Sequence, residues 1–592
     1  MNQKTGKTKK SESNRETLRH STAHVLAKAI LELFPKTKVA IGPAIDHGFY
    51  YDFEFVKPIA QKDLPKIEKR MKKIINQNLK FKKKQISVQA ALKLFKKLNQ
   101  PYKVELIKEL KRHEKVEKVT VYQLGDFQDL CRGPHLESTG KINAQAIKLT
   151  ELAGAYWQGD EKNKMLTRIY GVVFATKAAL KKHLEMLEQA KKRNHRKLGK
   201  ELELFAIFPE IGQGLPVWLP NGYTIRRVLE DYMLKLEKSY GYEHILTPVI
   251  NRKELFETSG HLEFYQDSMY TPLEIDRQTF YLKPMNCPAG MMVYKMKPRS
   301  YKDLPVKMGE LGTVYRYEQS GELHGLQRVR GFTQNDAHIF CTPEQLEQEF
   351  MEVIELFEIF FKNVGFHEYK YRLSLRDEDS SKYVGDKDRW EWAQNVMRKV
   401  LKKNKVDFYE EPGEAAFYGP KIDVQAVNVF GKEDSIGTNQ IDFNLPERFN
   451  LHYIDETGSK KQPFVIHRAL IGSFERFFAF FIEHHAGAFP IWLSALQVMI
   501  IPVSDKYLSY AQKVAKKLKQ EDIRVKIDSS AESLGKKIRT NQKQKIPYML
   551  IVGDKEADQE KVAVRTRDQG DMGAIKLAKF IREIKAKLAK FQ

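Results

Sequence analysis

The segment "VYRYEQSGELHGLQRVRGFTQND" (residues 314–336) predicts two strands joined by a glycine-containing loop. Arg316 falls in the first strand, and Arg328 and Arg330 fall where the second begins. Guanidinium groups bind phosphate through paired N–H donors and stack on planar rings. Ion pairs with carboxylates such as Glu318 are the alternative use of these arginines. We interpret the segment as a hairpin that binds phosphates and stacks on a base.

The sequence on either side of this hairpin mixes helices with antiparallel strands. Before it, apolar residues at helical spacing predict an amphipathic helix: Ile225, Val228, Leu229, Tyr232, Met233 and Leu236. After it, a helix is predicted at 343–363. Strands are predicted at 279–284, 312–318, 330–341, 417–427 and 437–443. Because helices and strands do not alternate regularly, the pattern indicates an α+β domain.

Changes in composition divide the chain into five segments. Residues 1–14 are basic and polar and predict a disordered tail. Residues 15–180 contain an apolar-faced helix, lysine-rich helices and a hairpin, and residues 181–205 predict a charged linker helix. The α+β domain spans 206–492. In residues 493–592 strands and helices alternate, which predicts a small α/β domain with a mostly parallel sheet.

Composition favours a nucleic-acid partner. The 592 residues include 101 lysines and arginines against 76 acidic residues, a formal charge of +25. Such an excess favours a polyanion, because each neutralised phosphate releases counterions. Three distant cysteines exclude a disulfide scaffold. We see no lipidation motif or secretory signal, and the most apolar stretch, 477–482, is too short to span a membrane. We expect a soluble cytoplasmic protein.

Cysteine and histidine side chains offer a candidate metal site in the α+β domain. Cys287, in "LKPMNCPAG" (282–290), His338 and His467 supply one thiolate and two imidazoles. This is the ligand set of a catalytic zinc with an open fourth position. The three residues lie far apart, so no local spacing supports the site. The alternative is a buried thiol that acts as a small hydrophobe, beside two core histidines.

A second set of histidines and a cysteine shows regular spacing. His20 and His24 are four residues apart on a predicted helix and share one face. Cys131 and His135 have the same separation in "CRGPH". These side chains either bind a metal or surround a water that is to be activated. The alternative is a surface histidine pair and an unrelated thiol.

Arg476, in "GSFERFFAFF" (472–481), starts an apolar helix. An arginine buried among phenylalanines needs an anionic partner, because an unpaired buried charge is costly. The alternative is ion pairs within the protein, to Glu318 and Glu475. Together with the arginines of the hairpin, however, Arg476 favours a bound polyanion.

These motifs, in this order, resemble a known family. The hairpin, the preceding helix and strand with Pro248, and "GSFER" resemble the three motifs of class II aminoacyl-tRNA synthetases. Five segments are similar to the threonyl-tRNA synthetase family in particular: "KPMNCP", "RVRGFTQNDAHIFC", "AFYGPKID", "GTNQIDF" and "VIHRALIGSFERF". Similar to its editing domain are "RHSTAH", "AIGPAIDHGFYYDF", "CRGPH" and "GAYWQGD". From residue 15 onward, the resemblance implies an N-terminal α+β editing domain, a class II antiparallel-sheet catalytic core and a C-terminal α/β anticodon-binding domain.

The resemblance also implies a role for each matching position. Zinc ligands, with one zinc per subunit, are Cys287, His338 and His467. Positions around the amino acid are Asp336, Gln334, Tyr418 and Gln440. Contacts to ATP, which binds with Mg²⁺, and to the adenylate are Arg316, Glu318, Arg328 and Arg476. The site that hydrolyses seryl-tRNA is His20, His24, Cys131 and His135, and anticodon contacts are Glu556 and Arg565.

The implied activity is ATP-dependent attachment of threonine to tRNA(Thr) through a threonyl-adenylate, with hydrolytic editing of seryl-tRNA. The resemblance implies a homodimer joined around residues 223–250. Zinc would reject valine, which lacks a hydroxyl group. Serine lacks only a methyl group, worth roughly 10–200-fold in selection, so a second site is required. In the family that second site is thought to act without a metal.

Two features depart from the family pattern. The family usually begins with a ubiquitin-like domain of about sixty residues, whereas here a basic stretch precedes the editing unit. Ser530-Ala531 stands where relatives often carry Arg-Asn, so one anticodon contact is expected to differ. A non-catalytic RNA-binding paralogue and a hydrolase limited to mischarged tRNA are the alternatives. The intact motif arginines and the complete 206–492 region argue against both.

Overall fold

The computed structural model describes residues 2–45, 48–160, 162–377, 383 and 386–591. The chain divides into two compact units, Met1–Leu187 and Glu188–Gln592. Helices of the first unit are α1 (Asn2–Leu33), α2 (Leu64–Asn76), α3 (Val88–Lys97), α4 (Pro101–His113) and α5 (Lys177–Arg193), which continues into the second unit. Its strands are β1 (Lys38–Val39), β2 (Ala44–Ile45), β3 (Gly48–Glu54), β4 (Phe81–Ser87), β5 (Lys118–Leu124), β6 (Phe127–Leu130), β7 (Ile147–Tyr156) and β8 (Met165–Val173).

Two antiparallel sheets organise the first unit. One has the order β1-β3-β8-β7, with β2 also paired to β3, and the other has the order β4-β5-β6. The apolar face of α1, with Val25, Leu26 and Ile30 fully buried, packs against α2 and β3. The helix also includes residues 2–14, where composition predicts a disordered tail. That stretch has no proline, and extending an existing helix costs much less than starting one.

The second unit begins with a region rich in strands. Its helices are α6 (His195–Glu201), α7 (Pro220–Ser239), α8 (Lys253–Ser259), α9 (His261–Phe264), α10 (Cys287–Lys295), α11 (Leu346–Asn363), α12 (Lys387–Lys403), α13 (Leu445–Arg448) and α14 (Phe474–His485). Its strands are β9 (Phe205–Ala206), β10 (Val217–Trp218), β11 (Glu243–His244), β12 (Ile250–Arg252), β13 (Leu273–Ile275), β14 (Gln278–Leu282), β15 (Val306–Tyr315), β16 (Gly331–Cys341), β17 (Tyr369–Leu375), β18 (Phe408–Pro412), β19 (Lys421–Val427), β20 (Glu433–Asp442), β21 (Tyr453–Ile454), β22 (Lys460–Lys461) and β23 (Phe464–Ser473).

The main sheet of this region has the order β11-β15-β16-β23-β20-β19-β17-β18. It is antiparallel from β15 to β17, with a parallel strand at each edge. This arrangement confirms the predicted α+β class.

Alternate residues of the central strands point to opposite faces of the sheet. One face packs against the hydrophobic core, and the other, the site face, carries the polar residues of the motifs. Ala337, Ile339 and Cys341 of β16 are buried in a core with the phenylalanines of α11 and α14. Because neighbouring residues of a strand point to opposite faces, Asp336 and His338 lie on the other side. Helices therefore cover one face of the sheet, and the polar residues of the motifs line the other.

The predicted linker 181–205 is not one helix. α5 ends at Arg193, and Asn194 caps α6 by accepting hydrogen bonds from the backbone of Arg196 and Lys197. Leu198 of α6 is buried in the core of the second unit. The charged composition of 181–205 did not indicate this second, partly buried helix, because only a few of its residues face inward.

The C-terminal region contains strands β24 (Val498–Pro502), β25 (Val525–Ile527), β26 (Tyr548–Val552), β27 (Lys561–Thr566) and β28 (Gly570–Lys576). Its helices are α15 (Leu508–Lys519), α16 (Leu534–Lys543), α17 (Asp554–Asp558) and α18 (Leu577–Leu588). β25, β24 and β26 are parallel, but β27 and β28 are antiparallel, so the predicted mostly parallel sheet is in fact mixed. The link 553–560 is too short for the crossover that a parallel β27 would need.

None of the described helices has both the length and the apolar character needed to cross a bilayer.

Candidate active sites

The α+β region brings Cys287, His338 and His467 together. Cys287 is the first residue of α10, while His338 on β16 and His467 on β23 face each other directly in the antiparallel register. All three side chains are buried, and their potential ligand atoms lie within 4.8 Å of one another. A Cβ atom at Gly290 would lie 3.1 Å from His338 Nδ1, so the small residue lets α10 approach the sheet closely.

One nitrogen of each imidazole is buried and has no hydrogen-bond partner among the described residues. His467 Nε2 lies 2.8 Å from Asp442 Oδ2, whereas His467 Nδ1 and His338 Nε2 are buried with no hydrogen-bond partner among the described residues. Burial lowers the pKa of His338 well below its usual value and raises the pKa of Cys287. Burial also lowers the pKa of His467, but the hydrogen bond with Asp442, together with the adjacent Cys287, outweighs it and raises that pKa to about 10.

These observations fit a metal site. Buried nitrogen atoms without partners are unfavourable unless something binds them. A carboxylate on the far side of a ligating imidazole is the usual support for a metal-bound histidine. One sulfur and two nitrogens match the softness that zinc prefers.

A cavity of about 780 Å³ opens over the site face of the sheet. Among its lining residues are the predicted Cys287, Arg316, Glu318, Arg328, Gln334, Asp336, Tyr418, Gln440, His467 and Arg476. His338 is not part of the lining and lies behind it, within reach of Cys287 and His467. The fold therefore gathers the predicted amino-acid, ATP and metal positions around a single space.

One end of the cavity carries neutral hydrogen-bonding groups and one carboxylate. Asp336 is buried, and Asn286 donates a hydrogen bond to it at 3.3 Å. Tyr418 donates to Gln440 at 2.7 Å, and Gln440 lies opposite His467 in the register of β20 and β23. This end can accept an ammonium group and polar side-chain atoms.

The other end is cationic. Arg316 donates to the Pro284 carbonyl at 3.1 Å and lies over the Phe332 ring at 5.0 Å. It makes no ion pair within the described part of the chain. Arg476 pairs with Asp434 at 3.3 Å, and its side chain is 43% exposed.

The carboxylates of Glu318 and Glu475 form ion pairs with other arginines, and only some of the cavity arginines are paired. Glu318 does form an ion pair, at 2.7 Å, but with Arg328 rather than Arg316. Glu475 pairs with Arg226 at 3.2 Å instead of Arg476. Arg476 is not buried among phenylalanines as the sequence suggested, because its side chain lines the cavity while the phenylalanines of α14 are buried in the core. Positive charge is therefore left for an anionic ligand.

The first unit brings His20, His24, Cys131 and His135 together. Cys131 Sγ lies 3.3 Å from His20 Nε2 and 3.2 Å from His135 Nε2. The His24 and His135 ring centroids are 4.2 Å apart. The spacing of four residues places His20 and His24 on one face of α1, and the loop after β6 supplies the other two side chains.

Sequence reasoning missed the groups that support this second cluster. Asp129 lies 3.5 Å from His24 Nε2, forms an ion pair with Lys103 at 2.5 Å and accepts a hydrogen bond from Tyr51 at 2.6 Å. "CRGPH" begins two residues after Asp129, which is the only local signal for it. Asp442 was missed in the same way, two residues after Gln440.

Burial keeps the second cluster neutral. It lowers the pKa of His20, lowers that of His24 well below its usual value, and lowers that of His135 to about 2. It raises the pKa of Cys131 to about 12. Neutral imidazoles can accept hydrogen bonds from a water or a ribose hydroxyl. The four ligand atoms also lie close enough to hold a metal ion.

The two predicted anticodon residues lie in the C-terminal region. Glu556 on α17 accepts a hydrogen bond from the Gly553 backbone at 3.0 Å. Arg565 lies on β27, and its Nε is buried without a hydrogen-bond partner among the described residues. No contact between the two is recorded in the described structure. Ser530 donates to Asp528 at 2.6 Å.

Three regions of the chain match models of known protein families. Residues 270–485 match the tRNA synthetase class II core domain (G, H, P, S and T), residues 497–587 the anticodon binding domain, and residues 119–170 the threonyl and alanyl tRNA synthetase second additional domain.

Whole-chain relatives extend these matches. Threonine--tRNA ligase 1 of Bacillus subtilis is 50% identical over 585 residues, 98% of this chain and 90% of the relative. The Threonine--tRNA ligase of Dehalococcoides mccartyi (strain CBDB1) is 48% identical over 576 residues, 97% of each chain. A crystal structure of the RNA binding domain of threonyl-tRNA synthetase from Cryptosporidium parvum has a TM-score of 0.63 at 35% identity, covering 67% of this chain and 98% of that chain.

Proposed function

We propose roles for individual residues from the premise that this chain belongs to the threonyl-tRNA synthetase family. It catalyses the ATP-dependent attachment of threonine to tRNA(Thr) and hydrolyses mischarged seryl-tRNA. The observation that carries the assignment of roles is the single cavity that gathers the predicted amino-acid and ATP residues beside Cys287 and His467.

Zinc is proposed at Cys287, His338 and His467. The support is the pair of buried nitrogens without partners and the carboxylate of Asp442 behind His467. When bound, the ion would accept the amino group and the side-chain hydroxyl of threonine beside its three protein ligands, and valine has no hydroxyl to offer. Asp442 fixes the orientation of the His467 ring.

Threonine is proposed to lie at the end of the cavity that holds Asp336. That carboxylate is buried without a cationic partner among the described side chains, so the ammonium group of the amino acid would supply one. Gln334, Tyr418 and Gln440 offer hydrogen bonds around the remainder of the substrate. These hydrogen bonds would orient threonine so that its carboxylate points toward the cationic end of the cavity.

The proposed chemistry at the cationic end is attack of the threonine carboxylate on the α-phosphate of ATP. The bond to pyrophosphate breaks, and threonyl-adenylate forms. Arg316 and Arg476 stabilise the charge that develops on the phosphate oxygens, and Phe332 offers its ring for stacking. Glu318 holds Arg328 in place at 2.7 Å. ATP is proposed to bind with Mg²⁺, for which Asp434 provides a carboxylate in the cavity lining.

The editing reaction is assigned to His20, His24, Cys131 and His135. Their neutral imidazoles would hold the hydrolytic water and the terminal ribose, and no metal is proposed there. Asp129 and Lys103 act as positioning residues, because Asp129 lies beside His24 Nε2 and Lys103 forms an ion pair with Asp129. In the C-terminal region, Glu556 and Arg565 are proposed to contact the anticodon. Since the proposed reaction requires tRNA(Thr) and ATP, we place the protein in the cytoplasm.

Amino-acid-dependent ATP–pyrophosphate exchange tests the proposed activation site directly. We expect strong exchange with threonine, weaker exchange with serine and almost none with valine. Valine has no hydroxyl to bind, whereas serine lacks only a methyl group worth roughly 10–200-fold. Absence of exchange with all three, from folded protein containing zinc, would contradict the proposal and favour the RNA-binding paralogue.

His24→Ala should allow seryl-tRNA(Thr) to accumulate while threonylation persists. Removing this imidazole takes away a neutral acceptor at the centre of the editing cluster, so we expect deacylation to fall by ~10²-fold or more. His113→Ala is the matched control, because His113 is exposed at the end of α4. Undetectable serine mischarging in the His24 variant would contradict the editing assignment. The measurement is acid-gel analysis of tRNA(Thr) incubated with serine and ATP.

A homodimer is proposed through the region 223–250. Leu246 is 84% exposed, and Tyr223 and Ile250 of the same region are also exposed, so three large apolar side chains are available for a partner subunit to cover. Leu246→Asp should weaken dimerisation by ~100-fold or more, because two-fold symmetry places the charge in the interface twice. Sedimentation velocity over a concentration series measures it. Met572→Asp, at an exposed site in β28, should leave the dimer intact.

A further inference from the structure

The edge strand β4 presents consecutive lysines to its two opposite faces. Ile86 packs against the core beneath α3 and α4, so Lys82 and Lys84, which share its parity, belong to that side. Phe81 packs against the other core, and its ring stacks on His135 with centroids 5.0 Å apart. Lys83 has the parity of Phe81. It is therefore the lysine of this strand that lies on the side of the editing cluster.

The sheet register places Lys83 next to that cluster. Lys83 lies directly opposite Tyr122 on β5, a separation of about 5 Å between Cβ atoms. The Tyr122 ring is 4.5 Å from the His135 ring, and a Cβ atom at Gly133 would lie 2.3 Å from the Tyr122 hydroxyl. Tyr122 thus lies between Lys83 and the "CRGPH" loop. The lysine side chain is long enough to reach the rim of the site.

The positive charge of Lys83 is not neutralised by the described part of the protein. Lys83 is exposed and makes no hydrogen bond or ion pair with any residue that the structure describes. The nearby Arg132 of the loop is already paired with Glu114 at 2.6 Å. The imidazoles of the cluster are neutral through burial and contribute no positive charge. Lys83 is therefore an exposed cation available to an anionic substrate group that approaches from this side.

We propose that Lys83 binds a backbone phosphate of the tRNA 3′ end when the aminoacylated adenosine occupies the editing site. This inference rests on the proposed editing function. The terminal ribose must lie at the histidine cluster, so the phosphates that precede it pass over the surrounding rim. A lysine there fixes the strand by charge and leaves base identity to other contacts. Lys83 is accordingly a substrate-binding residue and takes no part in proton transfer.

Edge-strand lysines also serve to prevent sheet-to-sheet aggregation. That role would apply equally to Lys82, which is exposed on the same strand and directed to the opposite face. Lys82→Ala is therefore the matched control for Lys83→Ala. The two explanations predict different results, because phosphate binding depends on the face of the strand and protection of the edge does not.

The first experiment measures deacylation of seryl-tRNA(Thr) by the full chain at several salt concentrations. For Lys83→Ala we expect KM to rise about tenfold, as for the loss of one hydrogen bond to a charged group, with kcat nearly unchanged. The slope of log(kcat/KM) against log[salt] should become shallower by about 0.7, the value for one phosphate contact on a single strand. Lys83→Arg should restore both values. Equal behaviour of the Lys82 and Lys83 variants would overturn the proposal.

The second experiment does not depend on hydrolysis. Two stable analogues, 3′-serylamino-3′-deoxyadenosine and the same unit at the end of the trinucleotide CCA, are titrated into wild-type and variant protein. Lys83→Ala should weaken binding of the phosphate-bearing trinucleotide about tenfold and leave the nucleoside analogue unaffected. Equal affinities of wild type and variant for the trinucleotide would overturn the role of Lys83. Wild-type protein that binds the trinucleotide without deacylating seryl-tRNA would instead contradict the editing function.

Discussion

Cys287→Ala is expected to abolish zinc binding and to reduce threonine-dependent ATP–pyrophosphate exchange by more than ~100-fold. Changes in the groups that merely support a metal ligand typically cost 10–100-fold, and here a ligand itself is removed. The two remaining imidazoles are buried, and one of them is held by Asp442 at 2.8 Å. Two imidazole nitrogens without the thiolate should not retain the ion against dialysis.

The measurement is metal content by inductively coupled plasma mass spectrometry, alongside exchange activity. Cys341→Ala is the control, because Cys341 is equally buried on β16 but faces the hydrophobic core. We expect it to keep one zinc per chain. Asp442→Asn should lie between the two, since it weakens the support of His467 without removing a ligand. A Cys287 variant that retains zinc after dialysis would show that Cys287 is a core thiol and not a zinc ligand.

Arg476→Ala is expected to reduce kcat for adenylate formation by ~10²–10³-fold, the usual cost of losing one preorganised group that stabilises transition-state charge. The KM for threonine should change little, because Arg476 lies at the cationic end of the cavity. The half-exposed ion pair with Asp434 contributes no more than about 1 kcal/mol to folding. The variant should therefore fold normally, and the loss should be catalytic.

Pre-steady-state exchange kinetics and circular dichroism test both parts of this expectation. Arg476→Lys should recover only part of the rate, because an ammonium group cannot form two parallel hydrogen bonds to phosphate. Arg398→Ala provides a matched loss of charge, since Arg398 pairs with Glu410 outside the cavity lining. If Arg476→Ala retained the wild-type kcat, the ion pair with Asp434 would be its main role.

The sequence by itself determined the local geometry of both sites. Four-residue spacing placed His20 and His24 on one helix face, and strand alternation placed Asp336 and His338 on the face opposite Ala337. The ordered motifs identified the class II fold and the family. These features follow from 3.6-residue and two-residue periodicities, which act within a single element and can be read without knowing its neighbours.

Only the tertiary structure decided which elements meet. The register of β16 with β23 set His338 opposite His467, and the approach of α10 at Gly290 added Cys287. Asp442, Asp129 and Lys103 became visible for the same reason, since their partners lie on other strands and helices. The helix through residues 2–14, the break at Asn194 and the antiparallel β27 also departed from prediction. Each depends on contacts or connection lengths beyond one element, because the free energy of a fold comes mainly from packing between elements that are distant in sequence.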